Sequence, residues 1–154
     1  MTDCFMDHGE QKSQKGKWEY GWDNSNVANT RKRNLVDNPL LDNLILFQPD
    51  TTSKWCSDQL YQGKIQCAVN GASANKWSIT VPNGSYAVQL TIGDPEYTIG
   101  YSLQVNGEEM IAPENRIIPK DTYLYPKTTL KVTNNLITVR REAVSLMNVN
   151  LAIA

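Results

Sequence analysis

Three clusters in this chain set flat aromatic rings beside groups that hydrogen-bond in pairs. Trp18, Tyr20 and Trp22 crowd together and run into Asp23 and Asn24; Trp55 and Tyr61 bracket Asp58 and Gln59; Asp94 stands between Gly93 and Pro95, just ahead of Tyr97. An aromatic face suits the C–H patch of a pyranose ring, and planar carboxylates and amides suit its paired hydroxyls. Asp94, Tyr97, Trp55, Tyr61, Tyr20 and Trp22 are therefore the residues expected to hold a ligand. Each has a plainer use. Tryptophan is usually well buried, so Trp22 in the Tyr20-Gly21-Trp22 triplet also fits the core or a loop anchor. Gly93 is expected to free the backbone for a sharp turn that leaves the Asp94 carboxylate facing the loops. A side chain in that place can equally accept nearby backbone N–H bonds and only shape the turn.

The same inventory is poor in catalytic groups. Acyl transfer needs a general base, most often histidine, and the single histidine, His8, stands in a polar stretch without an orienting partner. Glycoside hydrolysis needs two carboxylates fixed across a cleft; Asp37, Asp42, Asp50, Asp58, Asp94 and Glu96 supply acids, but nothing in the sequence pairs them. No Gly-rich loop leads into a helix, so nucleotide chemistry is not expected. No cofactor is expected; a structural calcium remains open, although no compact acidic loop offers the several oxygen ligands it would take. The chain reads as non-catalytic.

The elements that must carry these groups are strands. Trp77, Ile79 and Val81 alternate with Ser78 and Thr80; Tyr86, Val88, Leu90 and Ile92 alternate with Ala87, Gln89 and Thr91; Leu103 and Val105, Leu130 and Val132, Ile137 and Val139, and Met147, Val149, Leu151 and Ile153 repeat the period. A period of two, repeated this often, means half-buried antiparallel strands. Trp77 and Tyr86 fall on the inward parity and read as core. Asn83-Gly84 and Asn106-Gly107 suit tight hairpin turns, and Asn134-Asn135 suits another. The fold expected is all-β, an antiparallel β-sandwich or barrel. Residues 1–17 are polar and read as a flexible tail, and 18–154 as a single β-sandwich domain. Tyr123 and Tyr125 either flank a second loop or pack on the sandwich edge.

With 154 residues, 40% hydrophobic and 20% charged, the chain has the balance of one globular domain. A net charge of −1 gives no overall field for nucleic acid, and the runs Arg31-Lys32-Arg33 and Arg140-Arg141 read as solvated edges. No apolar run reaches the roughly 20 residues of a membrane-spanning helix, and the first residues lack a signal-peptide core. Either the protein is intracellular or the chain is an excerpt of a longer secreted one; the finish at Ile153-Ala154 within a strand-like pattern favours the excerpt, and with it a place outside the cell or in the secretory pathway. Cys56 and Cys67 have a spacing that a disulfide could close, which would leave Cys4 odd; free or buried thiols are the alternative. Asn83-Gly84-Ser85 fits the N-glycosylation acceptor pattern, so Asn83 is a candidate for modification.

Taken in order, Tyr20-Gly21-Trp22, Arg31-Lys32-Arg33-Asn34, Asp42-Asn43-Leu44-Ile45, the stretch from Trp77 to Tyr86, Gly93-Asp94-Pro95, Val105-Asn106-Gly107 and Leu136 to Val139 resemble the malectin-like, galactose-binding-like jelly-roll modules of carbohydrate-active and cell-surface proteins. The resemblance covers about residues 18–154, and the run of Val-Pro-Asn-Gly-Ser-Tyr, Gly-Asp-Pro and Val-Asn-Gly is its most specific part. Cys56 and Cys67, and the long segment from Gln48 to Asn75, depart from it. It implies a jelly roll that binds a glycan or glycoprotein beside other domains of its parent chain. A protein-interaction or structural module on the same fold is the alternative, since fold alone does not fix function.

Overall fold

The computed structural model describes residues 7–25, 27, 30–45, 76–100, 103–115 and 117–141. Its main feature is one long antiparallel ribbon. The outgoing arm runs through β5 (Lys76–Thr80), β6 (Gly84–Gln89), β7 (Ile92–Asp94) and β8 (Ile99–Gly100), and the return arm through β11 (Ile117–Ile118), β12 (Thr122–Leu124), β13 (Lys127–Val132) and β14 (Leu136–Arg141). Pairing advances one residue for one from Lys76↔Arg140 to Asp94↔Thr122, and slips by a single residue before Ile99↔Ile118. Such a ribbon needs strand formers on both arms. Val, Ile and Leu dominate its buried positions, and Thr and Tyr recur at half-buried ones, where branched and aromatic side chains fit a pleated surface.

The ribbon folds over on itself at residues 81–83 and 133–135. Here the structure departs from the tight turn expected at Asn83-Gly84. β5 pairs with β14 and with β2 (Trp18–Trp22), while β6 pairs with β13, so the chain crosses between layers instead of doubling back. The reason is burial. β5 and β6 each carry one apolar face, and side by side they would leave both exposed; crossing lets the faces meet. The two corners are tied together: Val81 N–H donates to Asn135 O at 2.9 Å, and Asn135 N–H donates to Asn83 Oδ1 at 2.9 Å. Asn135 takes the positive φ of 58° that the sharp return requires.

Around β5 and β14 a six-stranded sheet forms, with β1 (Ser13–Lys15), β9 (Leu103–Val105) and β10 (Glu108–Glu109) completing the order β1-β2-β5-β14-β9-β10. The Asn106-Gly107 turn joins β9 to β10 with φ of 48° and 85°, as the sequence predicted for that pair. The side chain of Asn106 accepts Thr138 N–H at 2.8 Å and donates to Leu136 O at 3.1 Å, pinning the hairpin to β14. β1 lies inside the stretch read from sequence as a flexible tail. Its polar residues hid a strand that folds back about Gly16, pairs Ser13 with Tyr20, and leads from a segment whose Asp7 carboxylate accepts Trp77 Nε1–H at 2.6 Å.

The six-stranded sheet and the β6–β13 ribbon are the two layers of an antiparallel β-sandwich. Between them lie Val81, Val105, Leu130, Val132, Ile137 and Val139, with Trp77, Ile79, Tyr86 and Val88 packed on this cluster. A second cluster of Ile92, Leu103, Ile111 and Ile118 continues the core toward β7 and β8. One further hairpin, β3 (Thr30–Lys32) with β4 (Asn43–Ile45), carries a single helical turn, α1 (Pro39–Asp42), in its connection.

Candidate functional site

Asp94 is where the sequence and the structure differ most. Instead of facing the loops, its carboxylate is 1% exposed and fully engaged. Arg33 Nε–H donates to Oδ1 at 3.2 Å and Nη2–H to Oδ2 at 2.7 Å, while the backbone N–H groups of Glu96 and Tyr97 donate to Oδ1 at 2.8 and 3.3 Å. Arg33 also reaches Glu96 Oε2 at 3.1 Å, and its guanidinium carbon sits 4.9 Å from the centroid of the Tyr97 ring. The forked guanidinium matches a carboxylate in two parallel bonds, a geometry lysine cannot supply. Asp94 and Tyr97 therefore form the receptor for Arg33, joining the β3 hairpin to the end of β7. Gly93 does not turn the chain either. It pairs with Tyr123, and a Cβ there would come within 2.5 Å of that ring and of Thr122 O, so the residue is small to admit the tyrosine.

A second carboxylate organises the same corner. Asp42 is buried and accepts N–H bonds from Asn34 at 2.9 Å, Leu35 at 2.8 Å and Val36 at 3.3 Å. The Leu35 bond above all, then those of Asn34 and Val36 and the charge of Lys32, hold its carboxyl below the usual carboxylate range against the opposing effect of burial. Asn34 adopts a φ of 55° so that three successive amides converge on one side chain. The Tyr123 hydroxyl donates to Leu41 O at 3.4 Å and titrates above the ordinary tyrosine range, first through burial and then through Asp121 and Asp94. Along this loop runs a shallow cavity of about 390 Å³ lined by Asn34, Leu35, Asp37, Pro39, Asp42 and Asn43.

Tyr20 and Trp22 lie in β2, 6% and 3% exposed, on the inner face opposite Ile79 and Trp77. The Tyr20 and Trp77 rings are tilted at 45° with centroids 6.3 Å apart, and Lys15 Nζ stands 4.3 Å above the Tyr20 ring. Gly21 between them carries a φ of 138°, and a Cβ would meet Glu10 O at 2.7 Å, on the segment that leads into β1. Both rings serve the core, the use left open for Trp22 from sequence. Asn83 is exposed at the inter-layer corner.

Among the described residues the exposed aromatic ring is that of Tyr125. From Tyr125 to Val132 exposure alternates without a break; Lys127, Thr129 and Lys131 stand on the outer face of the ribbon, opposite Gln89, Ala87 and Ser85. Tyr125 is 50% exposed. A groove of about 520 Å³ runs over this face, lined by Ala87, Val88, Gln89, Lys127, Thr128 and Thr129, a volume within the range of ligand sites. Sequence reasoning placed Tyr125 at an edge or a loop because the partner of β13 was not legible. The usable signal was the alternation itself, whose polar parity holds Gln89, Lys127 and Thr129.

Trp55, Tyr61, Cys56, Cys67 and Cys4, and the strand pattern from Met147 to Ile153, lie outside the described residues. Among the described residues, no group of three or more His, Cys, Asp or Glu side chains could hold a metal ion, and no helix is long and apolar enough to cross a membrane. Comparison with family models, curated proteins and solved structures finds no match for this chain. The resemblance to malectin-like modules therefore rests on the sequence alone.

Proposed function

We propose that this β-sandwich is a non-catalytic glycan-binding module of a secreted or surface protein. The observation that carries the reading is the groove over β6 and β13, one of whose lining residues, Lys127, stands two residues along the chain from the half-exposed Tyr125. A shallow groove of this kind suits a chain ligand whose sugar C–H face packs on tyrosine while its hydroxyls meet Gln89, Thr129 and ordered water. Affinity is expected to be weak per site, since a wet, shallow surface gains little beyond the water it displaces.

A glycan array tests this. Selective binding to one glycan class is the expected result, with Tyr125→Ala reducing it by about tenfold while the fold is kept, the effect of losing roughly one aromatic contact. A folded protein that binds no glycan on a broad array would instead make the sandwich a protein-interaction module.

A further inference from the structure

The outer face of the ribbon also carries a charge pattern that neutral sugar recognition leaves unused. Lys127 and Lys131 stand on the same side of β13, four residues and thus about 13 Å apart. Opposite them across the pair are Gln89 and Ser85, with Ala87 between, so β6 brings no acid to this face. Among the described residues neither lysine is in an ion pair. Glu108 of β10 accepts the Thr128 hydroxyl at 3.0 Å through each of its oxygens, and Thr128 has the opposite parity from the lysines. The chain as a whole carries 15 Lys and Arg against 16 Asp and Glu, so these two cations beside the groove are a local feature and not part of an overall positive field.

We infer that the groove takes an acidic glycan, a chain bearing uronate carboxylates. The reading rests on the glycan-binding function proposed above and specifies its ligand. Lys127 and Lys131 would each meet a carboxylate of the chain, Tyr125 the C–H face of a neighbouring sugar, and Gln89 and Thr129 the hydroxyls between. Ammonium groups on flexible stems can follow carboxylates of varied orientation, and exposed pairs of this kind are screened by salt.

Microscale binding to oligogalacturonic acid, its neutral methyl ester and polyglutamate separates the possibilities. The expected result is binding of the acid form, at least about tenfold weaker binding of the ester, weakening as salt rises through the screening range, and loss of binding in the Lys127→Glu/Lys131→Glu double variant with an unchanged melting temperature. Both lysines are exposed, so the variant tests the face and not the fold. Equal binding of acid and ester, unaffected by the double variant, would overturn the inference and leave the glycan reading standing. Polyglutamate binding as tightly as the acid glycan would also overturn it, because charge alone would then be read. No glycan bound here or on the array would bring down both.

Discussion

Arg33 and Asp94 are separated by 61 residues in the chain, yet they form a two-bond ion pair with side chains only 6% and 1% exposed. The pair carries its own support: two backbone amides complete the carboxylate, and Glu96 and the Tyr97 ring flank the guanidinium. Charges taken this far from water destabilise a fold when one loses its partner, and replacing both by apolar residues of similar size is much less costly. Arg33→Met and Asp94→Leu alone are each expected to cost about 3–5 kcal/mol in chemical unfolding, and the double variant distinctly less than the worse single. Additive losses would show that the pair is not coupled. Asp94 was legible in the sequence as a residue of consequence beside a proline and a tyrosine, but not as a buried anion. Arg33 was missed because it stands in a basic run that reads as solvated, and no local spacing points from it to position 94.

At the scale of elements, alternation was the dependable signal. The inward positions Ile79, Tyr86, Val88, Leu130, Val132, Ile137 and Val139 all pack in or against the core cluster, as their period of two predicted. Pairing was not readable in the same way. Asn83-Gly84 suggested that β5 and β6 are neighbours, whereas each lies against a strand of the return arm, far along the chain. A tight-turn pair describes local backbone preference, and burial of two apolar faces in separate layers overrides it. Gly93 shows the same override: its neighbours in sequence suggest a bend, and it makes room for Tyr123 within a straight pair. Gly93→Ala is expected to destabilise the fold by about 1–3 kcal/mol through the clash with the tyrosine ring and Thr122 O. Combining it with Tyr123→Ala should recover part of that loss in thermal unfolding; no recovery would place the strain in the backbone alone.

As a whole molecule, the sandwich is a folded ribbon whose two arms supply the layers and whose corners are locked by Asn83 and Asn135. The class of fold followed from the sequence because strands with one apolar face must meet face to face. The position of an open groove did not, because it depends on which strands are neighbours. The wrapping leaves the outer face of β6 and β13 uncovered enough to hold a groove, and it consigns Tyr20, Trp22 and Asp94 to the interior. The most direct test of the account is a backbone NMR titration with the best ligand found on the array. Shifts concentrated on Ala87, Gln89, Tyr125, Lys127 and Thr129 are the predicted result. Shifts confined to the amides around Asp94 and Tyr97, or to the segment holding Trp55 and Tyr61, with the ribbon face unmoved, would contradict it.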